Sequence, residues 1–239
     1  GIGATVMRGA GCCLNDIADR NLDSSVARTK DRPIPAGIIS VKQAFFLMAT
    51  LSALGLIILL QFNNFAVTIG ATSIILITIY PFSKRFTYWP QFILGLTFNW
   101  GALLGWAAVR GEIQTPAILL YVGGIFWTLG YDTIYAMQDK NDDAIVGIKS
   151  TALALGEKVN GWLFIFYSLA ILFMGLAGWL IALPWPFYIG LFGAAVQAVW
   201  QIKMLVPHSP NDCLSKFRSN RLFSWLFLGG IIISQILYI

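Results

Sequence analysis

Seven stretches of this 239-residue chain are long and apolar enough to cross a bilayer: about 43–60, 65–83, 91–109, 116–138, 161–182, 185–205 and 222–239. Residues 1–14 read as the second half of an eighth. Runs of this length restrict the fold to an all-α, polytopic transmembrane helix bundle, because helices satisfy every backbone polar group within the hydrocarbon. Composition agrees: 57% of residues are hydrophobic and 11% charged, against about 25% charged in soluble domains. Pro81, Pro90, Pro116 and Pro184 fall near the ends of the runs, where helices tolerate proline best. The whole of 1–239 reads as one membrane-embedded domain. It opens at Gly1 inside an apolar run, so a truncated N-terminus is expected.

The connections alternate in charge. Loop 15–42, the turn at Lys84 and Arg85, loop 139–160 and loop 203–221 hold 14 of the 16 lysines and arginines. Arg110 lies on the opposite side, and Arg8 lies inside the first run. The positive-inside rule places the rich side in the cytoplasm of a bacterium or the matrix of a mitochondrion. The net charge of +5 is therefore a topology signal with some attraction to anionic lipid, and it does not point to nucleic acid. Cys12, Cys13 and Cys213 form no disulfide or metal framework and read as small apolar residues.

Ten of the eleven acidic residues share the basic side, and seven of those ten fall in two short windows. In "NDIADRNLD", Asn15, Asp19 and Asp23 are spaced i, i+4, i+8, one face of a helix. In "YDTIYAMQDKNDD", Asp132, Asp139 and Asp143 are spaced i, i+7, i+11, with Tyr135 at i+3. Like charges at helical spacing repel, and carboxylates near hydrocarbon are costly, so something must compensate them. Two such faces opposed across a cavity make an all-oxygen site for a hard divalent cation. Mg²⁺ suits it, being held by a few carboxylates plus substrate phosphates. Cationic partners for a diphosphate follow each cluster: Arg28, Lys30 and Arg32 in "ARTKDRPIPAG", and Lys149 in "VGIKSTALALG". Tyr80, Lys84 and Arg85 in "YPFSKR" lie on the same side. Arg8 is seven residues before Asn15 and so shares its helix face; an arginine inside an apolar run is a functional candidate, for Asp19, a diphosphate or a carboxylate substrate. Its bland reading is an arginine that snorkels to the interface. His208, in the turn-rich "VPHSPND", reads as a solvated loop residue.

These motifs resemble the UbiA-type intramembrane prenyltransferases. "NDIADRNLD" fits that family's NxxxDxxxD motif and "DKNDD" its second, DxxxD, motif. "MRGAGCCLNDIADR", "RTKDRPIPAG", "YPFSKR" and "YDTIYAMQDKNDDAIVGIKSTAL" are similar to the branch that prenylates 4-hydroxybenzoate. The resemblance implies a nine-helix bundle, of which eight helices are counted here, leaving about one to precede Gly1 and complete the aromatic pocket. It implies that Asp19, Asp23, Asp139 and Asp143 are catalytic, and that with Asn15 and Asp132 they hold Mg²⁺. Arg28, Lys84, Arg85 and Lys149 would bind the diphosphate, with Arg8, Arg32 and Tyr80 as further candidates and Tyr135 in support.

The implied reaction is Mg²⁺-dependent electrophilic aromatic substitution. A polyprenyl group passes from polyprenyl diphosphate to the 4-hydroxybenzoate ring ortho to the hydroxyl, in ubiquinone biosynthesis. It would take place in the bacterial or mitochondrial inner membrane, with the lipid bilayer as partner and the site facing cytoplasm or matrix. Phe98, Trp100, Trp106 and Trp127 are candidates to shelter an allylic cation. Two alternatives stand beside this one. A sister enzyme with another acceptor (haem, a chlorophyllide, homogentisate or a naphthoate) would carry the same Asp faces. A transporter or channel would place ionisable groups at helix midpoints, often in broken helices, whereas here, apart from Arg8, the charges lie at helix ends and in loops, nearly all on one side.

Overall fold

The computed structural model describes residues 1–24 and 29–238, the side chain of Tyr238 excepted. Among those residues the chain forms α-helices joined by turns and two short 3₁₀ segments: α1 (Ile2–Asp23), α2 (Val41–Leu59), α3 (Asn64–Phe86), α4 (Pro90–Phe98), α5 (Trp100–Arg110), α6 (Thr115–Ala136), α7 (Lys140–Val146), α8 (Thr151–Leu155), α9 (Val159–Leu180), α10 (Trp185–Met204) and α11 (Pro210–Tyr238). Since α4 and α5 are one span broken at Asn99, the long segments number eight and coincide with the eight apolar runs. By length and composition six cross a membrane. The other two are α1, which carries charge, and α10. The protein is an integral membrane protein.

The helix starts follow local chemistry. Ser40 and Gln43 form a capping box at α2, and the Asn63 side chain accepts from the Ala66 N–H at α3. The same Asn63 donates to the carbonyls of Ala107 and Ala108 at the end of α5. On the other side the Lys149 N–H donates to the carbonyl of Lys84. The two rims of the bundle therefore pair as the alternating loop charges require.

Three boundaries depart from the hydropathy reading. α1 does not stop near residue 14 but continues to Asp23, so it is 22 residues long and spans about 33 Å. Pro81 lies within α3, which carries on to Phe86 and so keeps Lys84 and Arg85 helical. α11 starts at Pro210 rather than 222: the Ser209 hydroxyl accepts from the Asp212 N–H, and the Lys216 ammonium meets Asp212 at 2.8 Å one turn on. Hydropathy cannot see helices that run on through polar residues. Of the cysteines, Cys213 is buried but Cys12 is exposed, so only the former is a core residue.

The hydrophobic core sits in α6, α9, α10 and α11, from Ile125 to Phe223. Small residues let backbones approach. A Cβ on Gly190 would stand 2.5 Å from the Leu226 carbonyl oxygen, and one on Gly230 only 3.1 Å from Gly190 Cα. A polar seam crosses this core: Tyr167 donates to Gln201 (2.8 Å), Gln201 to Ser219 (2.8 Å), and Trp127 to Asn220 (3.2 Å). The break at Asn99 is satisfied by its own amide, which donates to Gly95 O and Thr128 Oγ1.

Candidate active site

The first acidic face is helical throughout. Asp19 is fully buried and Asp23 nearly so, and together with Ala10 they are the buried residues of α1. A carboxylate in that position requires compensation. Lys84 Nζ lies 2.6 Å and Arg85 Nη2 3.7 Å from the Asp19 carboxylate, and Arg85 also donates to the Ala18 carbonyl at 2.6 Å. One turn of helix away, Arg32 Nη1 bridges Asp16 and Asp23, 3.1 Å from each. The Thr29 hydroxyl donates to the Asp23 carbonyl and seals the end of α1. The charges of α1 are thus neutralised from α3 and from the segment that follows α1, which ties the basic strings to the acidic one. Arg8 is exposed on α1, within electrostatic reach of Tyr131. The ion pairs of Asp19 go to Lys84 and Arg85, so of the three candidate partners of Arg8 the Asp19 pairing is not made.

The second acidic face is not one helix. α6 ends at Ala136, a 3₁₀ turn covers Met137–Asp139, and α7 begins at Lys140. The i, i+7, i+11 register therefore does not carry over. Asp132 is on α6, Asp139 in the turn, and Asp143 is buried on α7. Tyr135 packs against Phe217 with ring centroids 4.5 Å apart. Tyr80 lies on α3 within electrostatic reach of both Asp132 and Asp19. Asn15 is half-buried on α1. Arg28 lies outside the described residues.

Lys149 is held by a brace that the sequence analysis did not single out. Gly147 (φ +80°) ends α7 in the left-handed region that favours glycine. The Lys149 N–H then donates to Lys84 O. Ser150 caps α8, Gln91 Oε1 accepts from the Thr151 N–H at 3.0 Å, and the hydroxyls of Thr133 and Thr151 meet at 2.7 Å. The signal available in "KST" was a serine at a helix N-cap. A cavity of about 320 Å³ opens beside this brace, lined by Ala18, Asn21, Leu22, Lys84, Arg85, Gly147 and Ile148. The aromatic candidates separate by environment. Trp100 is a packing residue whose indole donates to Ile69 O, whereas Phe98 faces Tyr80 at 6.5 Å. Trp127 stacks on Phe223 at 5.0 Å and adjoins Tyr131.

The donor set suits a hard cation, since Asn15 and the aspartates offer only oxygen ligands in number. Among the described residues, no group of three Asp, Glu, His or Cys side chains lies close enough together to hold a metal. The carboxylates of the first stretch are balanced by the protein's own cations.

A one-sided constellation of buried aspartates with more exposed lysines and arginines, at the rim of a helical membrane bundle, defines a membrane-embedded protein equipped to handle an anionic, charge-dense group beside lipid. The chain belongs to the UbiA prenyltransferase family, whose profile matches residues 1–230. It is 47% identical over 236 residues to the mitochondrial 4-hydroxybenzoate polyprenyltransferase of Arabidopsis thaliana, covering 98% of this chain and 58% of that protein. It is 44% identical over 237 residues to the Homo sapiens protein of the same name, covering 99% of this chain and 64% of the relative. The chain thus spans about three-fifths of the length of these relatives. Its fold is that of a UbiA homolog from Aeropyrum pernix K1, solved in its apo form (TM-score 0.84, 22% identity, 96% of this chain and 86% of that one). It is also similar to a UbiA homolog from Archaeoglobus fulgidus bound to GPP and Mg²⁺ (TM-score 0.66, 17% identity, 98% of this chain and 88% of that one).

Proposed function

We propose that this chain is the membrane body of a 4-hydroxybenzoate polyprenyltransferase, which moves a polyprenyl group from polyprenyl diphosphate to the ring carbon ortho to the phenol hydroxyl. The observation that carries the reading is the buried Asp19 held between Lys84 and Arg85 beside a cavity on the basic side of the bundle. The 44–47% identity to relatives bearing that name supports the acceptor. Their mitochondrial names support an inner mitochondrial membrane, with the basic rim toward the matrix.

Asn15, Asp19, Asp23, Asp132, Asp139 and Asp143 are the oxygen donors that would hold Mg²⁺; since no three of these carboxylates lie close enough together here, binding would have to draw them in. When bound, Mg²⁺ supplies neutralisation of the charge that builds on the departing diphosphate. Lys84 and Arg85 line the cavity and are the first candidates to meet a diphosphate there; Lys149, next to the lining residue Ile148, and Arg32, Arg8, Tyr80 and Arg28 are further candidates. Their charge stabilises the leaving group in the transition state more than in the ground state, which is what lowers the barrier. Loss of the diphosphate leaves an allylic cation. The aromatic faces of Phe98 and Tyr80, with ring centroids 6.5 Å apart, are candidates to shield it from water. The ring carbon of the acceptor attacks, and its proton leaves to restore aromaticity. The exposed apolar flanks of α2 and α3 give a polyprenyl tail direct contact with lipid.

The test is the whole protein in lipid nanodiscs with radiolabelled 4-hydroxybenzoate, a polyprenyl diphosphate and Mg²⁺, with label counted in the extracted lipid. Label that needs Mg²⁺ and both Asp19 and Asp139 supports the reading. Transfer to homogentisate or a naphthoate, with none to 4-hydroxybenzoate, would replace the acceptor while keeping the chemistry.

A further inference from the structure

The 29 residues of α11 rise about 43 Å, some 13 Å more than the hydrocarbon of a bilayer. The apolar run begins at Leu222, so the excess lies at the N-terminal end and sets Arg218 and Arg221 at the headgroup level of the basic rim. There, a concavity of about 470 Å³ is lined by Asn211, Leu214, Ser215, Arg218, Ser219 and Arg221. This is the far end of the sequence from the acidic clusters, and the proposed prenyl transfer makes no use of it.

The chemistry of the concavity is cationic and uncompensated. The nearby Lys216 is turned inward, pairing with Asp212 at 2.8 Å and lying over the Trp200 ring at 5.1 Å. Among the described residues neither Arg218 nor Arg221 has a carboxylate in ion-pair range, and both are exposed. The Arg221 Nε donates to the Arg218 carbonyl at 3.3 Å, which holds that guanidinium along the helix, and both arginines line the same concavity. Ser215 adds a hydroxyl to the same surface, whereas the Ser219 hydroxyl is turned inward, accepting from Gln197 and Gln201 and donating to the Lys216 carbonyl. One turn deeper on the same face, Leu222 is 54% and Trp225 68% exposed. A pair of guanidiniums with one hydroxyl, followed at i+4 and i+7 by an apolar residue and an interfacial tryptophan, is complementary to a phosphate group that continues into an acyl chain.

We infer that the N-terminal face of α11 is a binding site for the phosphate headgroup of an anionic phospholipid from the surrounding bilayer. Arg218 and Arg221 grip the phosphate, and Leu222 and Trp225 carry the first methylenes of the chain. The site commits to lipid rather than to a soluble anion because its deeper half is apolar and lies in the hydrocarbon. An ordinary basic rim attracts anionic lipid diffusely; this one holds a lipid at a defined place.

Native mass spectrometry of the whole protein in detergent tests this, titrating phosphatidylglycerol against phosphatidylcholine with the same acyl chains. The variants are Arg218→Gln/Arg221→Gln and, as an equal charge change elsewhere on the rim, Lys158→Gln/Lys203→Gln. The site predicts one phosphatidylglycerol bound in preference to phosphatidylcholine, weakened about tenfold or more in the arginine pair and within about twofold of wild type in the lysine pair. Equal weakening in both pairs, or none in either, overturns the site. Displacement of the lipid by millimolar inorganic phosphate would reassign it to a soluble anion and overturn the lipid assignment. Size-exclusion profiles confirm folding; should the double variant fail to fold, Arg218→Gln alone is read against the same lysine pair.

Discussion

The first three helices of this bundle and the core helices α6, α9, α10 and α11 are held together by different physics. In the membrane windows of α2 and α3 only 11% of residues are buried, against 50% for the span that contains α6 and 39% for the one that contains α9. The C-terminal half closes on apolar side chains, glycine-mediated backbone approach and a satisfied polar seam. The N-terminal half is closed at its basic rim by ion pairs: Asp19 with Lys84 and Arg85, and Asp16 and Asp23 with Arg32. Apolar packing is indifferent to a charged ligand, whereas ion pairs can be exchanged for one. The division predicts a rigid wall and a responsive mouth.

The sharpest way to break this comparison is to remove charge from the mouth. Asp19→Ala should lower prenyl transfer by on the order of 100- to 1,000-fold, measured as label in the lipid phase, with thermal unfolding of the C-terminal core unchanged. Lys84→Met leaves the fully buried Asp19 with only the longer Arg85 contact, and should cost about 3 kcal/mol in thermal stability. Adding Asp19→Asn should restore most of that stability and none of the activity, which separates the fold's use of the pair from the reaction's. In the wall the effect should reverse. Gly190→Ala places a Cβ 2.5 Å from Leu226 O and should cost about 1–3 kcal/mol of stability, with activity per folded molecule preserved. The smallest effect belongs to the brace: Thr151→Val removes the 2.7 Å hydroxyl contact with Thr133 and should cost about 1 kcal/mol. It should also raise KM for the diphosphate more than it lowers kcat, since Lys149 loses only its positioning.

The apolar runs and the alternating loop charges were enough to read the bundle, because the bilayer imposes span length and charge sidedness on any chain that crosses it. They could not show that α1 extends to Asp23 or that α11 starts at Pro210, since hydropathy weighs composition while a helix continues through polar residues that cap and pair. Spacing correctly placed Asn15, Asp19 and Asp23 on one helix. It failed for Asp139 and Asp143, because a 3₁₀ turn at Met137–Asp139 resets the register. The pairing of Arg32 with Asp16 and Asp23, and the Gln91–Thr151 brace, join residues 9 to 60 positions apart, and no local pattern encodes such contacts.

The most direct test of a charge-closed mouth on a packed wall is hydrogen exchange of the whole protein in nanodiscs, with and without Mg²⁺ and inorganic diphosphate together. The account predicts changed exchange in residues 12–24, 80–86 and 145–151, and unchanged exchange in α9, α10 and the membrane-embedded part of α11. Uniform protection of both halves, or changes confined to α9–α11, would contradict it.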